Sequence, residues 1–411
     1  MQGGKRTAAD EHSVETKYIS GSGLPGPPGP PGPSGPSGPS GSSTSSTLID
    51  VVSTFKDLRI PQYPWVTPDN FIVPTTTPQN GLSCIKFSPD GVFLAIGYES
   101  VSPYIDAYQR NNDTFTRLNN VGTPPVGAVH GLCWSPDSVF LVAVHSTYPF
   151  IKAYSRSGIN FTPLSIPALS GTGNNVVFSP DGSYLVVAHD VGQFVTMYHR
   201  SGSTFTKSTP LPFFPTAAAT CVVYSADGKF LLIGYSASPY VVIYQTPGAA
   251  YIKLDTTNID TQDTVTAASF SPNGDFLVLA TSTSPYLFVY QRSGTTFTKL
   301  DTPADLPGSG IKSIAFSPNS KFLAVGVETA PQLYIYQRSG STFTKLNELT
   351  LGTSSITGVD FSVDGGYLAV AALSDNPVKI LKTTGVIPES YIPNIIKGAK
   401  GYDNEPIYYL K

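Results

Sequence analysis

An all-β fold, a seven-bladed β-propeller preceded by a short collagen-like segment, is predicted by this sequence on three observations. An aromatic residue followed by Ser-Pro-Asp-Gly, or a near variant, returns seven times, at Phe87, Trp134, Phe178, Tyr224, Phe270, Phe316 and Phe361. The returns lie 44 to 47 residues apart, the length of one four-stranded blade. Ahead of the first return, glycine occupies every third position at Gly23, Gly26, Gly29, Gly32, Gly35, Gly38 and Gly41.

Taken in chain order, residues 1–20 are polar, mixed in charge and unperiodic, an arm that cannot bury a core of its own. Residues 21–47 hold the glycine triplets and a Ser/Thr joint. Three polyproline-II chains can wind about one axis only where glycine alone meets that axis. A flexible Pro/Gly/Ser linker has no need of that register. The segment therefore reads as a trimerising stalk of roughly 19 residues, ~60 Å long at ~3.1 Å per residue. The GxGxxG formed by Gly21, Gly23 and Gly26 has no strand before it and no helix after it, so it is not a nucleotide motif.

Residues 48–384 carry the repeats. In the fifth, Val265 and Ala268 precede the anchor Phe270, and Ser-Pro-Asn-Gly supplies turn chemistry. A hydrophobic strand (276–280), a loop ending in Pro285, a Tyr-rich strand (286–291), an Arg-Ser-Gly turn and a short outer strand (296–300) complete the unit. The seventh repeat lacks that outer strand, while an unclaimed copy of it, with Phe55 and Leu58, precedes the first. The N-terminal segment is thus expected to close the ring and leave no open edge. Residues 385–411 form a tail rich in Pro, Ile and Tyr, expected to pack on the propeller or a neighbouring chain.

The anchors and their spacing resemble the WD-repeat and related bacterial propeller families. This chain departs from them in having Tyr108, Tyr154, Tyr198, Tyr244, Tyr290 and Tyr336 where the Trp of Trp-Asp would stand, and in lacking the Gly-His dipeptide. Arm, stalk and β-rich head together look like the virion appendage proteins of bacteriophages. The resemblance implies a fibre or decoration protein on the outside of a virion. It implies a homotrimer that contacts a capsid or tail protein through residues 1–20 and presents the propeller to a host-surface receptor or glycan. A bacterial cell-surface or spore-coat adhesin of the same design is the nearest alternative.

Composition narrows the rest. Charged residues make up 13% and the net charge is −3, so no basic field exists to hold nucleic acid. No apolar run reaches the ~20 residues that span a bilayer, and no membrane insertion is expected. Lys5 and Arg6 lead into polar residues, so no secretory leader is expected.

The five histidines show no metal spacing. Cys84, Cys133 and Cys221 form no CxxC pair and sit just before anchors, as small buried hydrophobes do. Asp90, Asp137, Asp181, Asp227, Asn273, Asn319 and Asp364 read as turn residues. A lactonase- or lyase-like propeller needs inward His, Asp or Glu. Three residues before the anchors stand Cys84, Gly131, Asn175, Cys221, Ala267, Ser313 and Gly358, none of them suitable. No catalytic residue, cofactor or metal is therefore expected. The second-to-third loops and interblade connections vary from blade to blade, and Glu99, Tyr148, Asp190, Gln193, Glu328 and Asp375 mark them as a candidate ligand-binding face.

Overall fold

The computed structural model describes residues 72–382, except 77, 120, 209–210, 247–249, 260, 347–350, 352–354 and 374–376. The arm, the stalk glycines, Phe55, Leu58, Asp375 and the tail lie outside the described residues.

Each repeat folds as one antiparallel sheet with its strands in sequence order. In blade one these are Leu82–Phe87 (inner), Phe93–Tyr98 (second), Ile105–Asn111 (third) and Thr114–Arg117 (outer). Blades two to six repeat the plan from inner strands that begin at Val129, Gly173, Ala219, Val265 and Ile311. The inner strands touch in cyclic order, and the first touches the last. The fold is a seven-bladed β-propeller.

The second strands are apolar but for a terminal His or Thr in three blades, FLAIGY in blade one and FLVLAT in blade five, and are buried along almost their whole length. A sheet covered on both faces selects a continuous hydrophobic run rather than alternation. The cover is the neighbouring blade: each of the seven hydrophobic clusters joins residues of two adjacent blades, as Phe93, Ala95 and Ile105 of blade one meet Trp134, Leu141 and Phe161 of blade two.

The Ser-Pro-Asp-Gly turns act as expected. Ser88 is buried; its hydroxyl accepts from Phe93 N at 2.9 Å and donates to Asp90, whose carboxylate accepts from Val92 N at 3.1 Å. Gly91 sits at φ 70°, the left-handed region open to glycine.

Blade seven has three described strands, Ile356–Phe361, Tyr367–Ala372 and Val378–Lys382. Its outer position is met from the N-terminal side, where Ile72 and Ile380 exchange backbone hydrogen bonds of 3.0 and 3.2 Å. Among the described residues, Ile72 is the one that bonds to the outer side of the third strand of blade seven.

Candidate functional site

Every inner strand carries a β-bulge at its second residue. In blade one Leu82 pairs with Tyr98 and Cys84 with Gly97, so Ser83 falls out of register. The same slip isolates His130, Asn174, Thr220, Thr266, Lys312 and Thr357. A bulge re-aims a side chain, and here the side chain is aimed at the next blade. Thr266 donates to Ile311 O at 2.9 Å, Thr357 to Leu82 O at 2.8 Å and Asn174 to Ala219 O at 2.8 Å. Ser83 donates to Val129 O and Thr220 to Val265 O, and His130 Nδ1 lies 3.2 Å from Gly173 O. Six of the seven bulged residues thus link each blade to the first carbonyl of the next inner strand.

Lys312 is the exception. Its ammonium turns to Glu328 of its own blade, 2.7 Å away, and both side chains stay nearly half exposed.

These strands line the central channel, a cavity of about 520 Å³. At its end on the second-to-third-loop side opens a mouth of about 510 Å³, lined by Glu99, Lys312, Glu328, His130, Ser355 and Thr357 among others. Among the described residues, blades six, seven, one and two supply the lining and blades three to five supply none. Inside the channel, Lys86 Nζ meets Asp360 at 2.9 Å, and Asp360 also accepts from Phe87 N at 2.8 Å. These charges join blade one to blade seven.

The loops around the mouth share one backbone. In blades one to six the residue that ends the second strand donates its N–H back across the loop, as Tyr98 does to Tyr104 O and His145 to Phe150 O. Five of these loops carry a cis proline, Pro103, Pro149, Pro239, Pro285 and Pro331. The third-strand tyrosines hold the connections beside them. Tyr154 donates to Thr123 O at 3.0 Å, Tyr198 to Pro167 O at 2.7 Å and Tyr336 to Asp305 O at 2.7 Å. This is the role of tyrosine at the position where the resembling families carry Trp. What varies on this face is therefore side-chain chemistry more than loop shape.

Of the expected face residues, Glu99, Asp190 and Glu328 occupy the same place, directly after the second strand, in blades one, three and six. Glu99 and Glu328 share the mouth; Asp190, Gln193 and Tyr148 are exposed but stand outside it. Tyr148, 71% exposed, packs edge-on against Phe150 at 6.1 Å.

The opposite face is built differently. The arginine at the penultimate position of the third strand reaches the preceding blade, where Arg156 pairs with Asp90 at 2.7 Å, Arg200 with Asp137 at 2.9 Å and Arg292 with Asp227 at 3.1 Å; Arg110 pairs with Asp364 across the seam. Each guanidinium also lies over an aromatic ring of that blade, Arg156 over Phe93 at 4.6 Å and Arg200 over Phe140 at 4.9 Å. Burial tends to raise the Asp137, Asp227 and Asp364 carboxyls, but hydrogen bonds from Ser135, Ser225 and Ser362 and the arginines hold them below their ordinary range.

The three cysteines are free thiols. Burial pushes Cys84 and Cys221 up to about 12 and Cys133 higher still, which disfavours the thiolate form. His145 and His189 are buried at the ends of the second strands of blades two and three, each with Nδ1 unpartnered among the described residues. Burial lowers both, His145 to about 4.

No family model matches the sequence, and no curated protein does. Solved structures do. The chain is similar to the Cps50 (Swd1) β-propeller domain of Myceliophthora thermophila, with 16% identity, 75% of this chain and 99% of that one covered, and a TM-score of 0.57. It is similar to hydrazine synthase of Kuenenia stuttgartiensis at 14% identity, covering 75% and 97%, with a TM-score of 0.57. A putative 6-phosphogluconolactonase of Bacteroides fragilis matches at 16% identity over 72% and 92%, with a TM-score of 0.58. Identities this low establish the propeller fold and nothing more, because one fold hosts many functions.

Proposed function

We propose that this chain is an attachment protein, a virion fibre or decoration protein that binds a host-surface receptor or glycan with the loop face of its propeller. In this reading residues 1–20 dock to a capsid or tail protein, and the glycine triplets hold three copies together. The observation that carries the binding part is the loop face itself, where one repeated loop backbone presents different side chains in each blade around an open mouth. Loops on a rigid scaffold can change their chemistry without disturbing the core. Three linked copies would multiply a weak contact through effective concentration.

The test compares the solution mass and host-cell binding of the full-length chain with those of a version starting at Leu48. A trimer that becomes a monomer and loses most of its cell binding is expected. Full-length protein that is monomeric and does not bind cells would sink the reading.

A further inference from the structure

We infer that the channel mouth takes a sugar bearing a free amine, held by Glu99 beside the Lys312–Glu328 pair. The inference deepens the attachment reading and rests on it for its biological setting, although the site itself is argued from geometry.

Two independent features coincide at this place. The first is the break in the interblade belt. Six bulged side chains are occupied in linking blades, whereas Lys312 leaves the belt and stands in the mouth, paired with Glu328. The second is the cavity, whose described lining comes from blades six, seven, one and two, on the side where the break occurs. A mouth of about 510 Å³ falls within the ~300–1,000 Å³ of small-molecule sites and has room for one or two sugar rings.

The chemistry of the lining selects the ligand. Lys312 already neutralises Glu328, while Glu99 forms no ion pair among the described residues, so one carboxylate charge is left over. That excess disfavours acidic sugars and favours a cation. Leu373 is the sole apolar side chain among the described lining residues; Ser355, the remaining hydroxyl lone pairs of Ser83 and Thr357, whose protons go to the next blade, and Nε2 of His130 offer polar partners. A polyhydroxylated ligand with one ammonium meets both demands: its hydroxyls face the Ser/Thr rim and its ammonium donates charge-assisted hydrogen bonds to Glu99.

The experiment titrates the full-length protein with three tetrasaccharides: a glucosamine oligomer with free amines, its N-acetylated counterpart and a glucose oligomer. The free-amine sugar is expected to bind at least about tenfold tighter than the other two, the size of one charged hydrogen bond. Glu99→Gln should abolish that preference while leaving the melting temperature unchanged. Lys312→Thr, which supplies the missing belt hydroxyl and frees Glu328, should strengthen it. Equal affinity for all three sugars, no binding of any, a preference indifferent to Glu99→Gln, or its loss in Lys312→Thr would each overturn the inference. Cell binding separates the two levels. Full-length protein that attaches to host cells, unaffected by Glu99→Gln or free glucosamine oligomers, keeps the attachment reading and removes this site. Amine-selective titration without cell attachment does the reverse.

Discussion

The two faces of the ring are made from the same repeat and treat it in opposite ways. On the turn face, Ser-Pro-Asp-Gly and Arg-Ser-Gly recur almost unchanged, and each arginine spans to the blade before it. On the loop face the backbone recurs but the side chains do not, and the bulged belt yields once, at Lys312. Uniformity marks the residues that hold blades together, on the turn face and in the belt. Variation marks the loop side chains that are free of that duty.

Removing the packing behind the turn face should have the largest effect. Phe205, 3% exposed, meets Phe140 of the neighbouring blade edge-on at 5.8 Å. Phe205→Ala should cost about 3 kcal/mol in urea unfolding by the transfer and cavity terms together. Arg156→Ala should cost about 2 kcal/mol, since it removes the ion pair with Asp90, the contact over Phe93 and a hydrogen bond to Ser138 O. Tyr148→Ala on the loop face should stay within about 0.5 kcal/mol. A loss at Tyr148 equal to that at Arg156 would erase the contrast between the faces.

Acid should act next. His145 is lowered to about 4 by burial, so between that value and its ordinary 6.5 the unfolded chain binds the proton and the folded one does not. Its contribution is complete above pH 6.5 and is lost as pH falls towards 4, on the order of 3 kcal/mol. The depressed Asp137, Asp227 and Asp364 carboxyls withdraw theirs at lower pH still. Melting curves of His145→Thr, the residue blade five uses at this place, should be flatter across pH 4–6.5. An unchanged slope would place the acid sensitivity elsewhere.

The smallest effect is a gain. Blade four has Thr246 where its neighbours have arginine, and Asp181 of blade three therefore lacks the partner that Asp137 and Asp227 enjoy. Thr246→Arg should add about 0.5 kcal/mol, and the gain should vanish when Asp181→Asn is added.

Much of this was legible in the chain. The anchors gave the number of blades and the serine-aspartate motifs their turns, whereas the closing strand expected at Phe55 and Leu58 lies outside the described residues and the described bridge to the last blade falls at Ile72. The interblade contacts were not. Arg156 and Asp90 are 66 residues apart and look like separate turn residues until the ring brings them together. The belt lies one position away from the column three before the anchors, where inward metal ligands would stand. The column four before them reads Ser83, His130, Asn174, Thr220, Thr266, Lys312 and Thr357, polar in every blade, and would have shown both the belt and its one charged break. The cavity at that break depends on how four blades meet, which no single repeat encodes.

The seam has a consequence for biosynthesis. Thr357 bonds to Leu82 across 275 residues, and Lys86 to Asp360 across 274. At ribosomal rates of ~5–20 residues per second, blade one waits on the order of tens of seconds for the partner that covers its flank. Throughout that wait the apolar side of blade one faces the cell interior. The protein's greatest hazard of clumping therefore lies in its making, before the circle is complete.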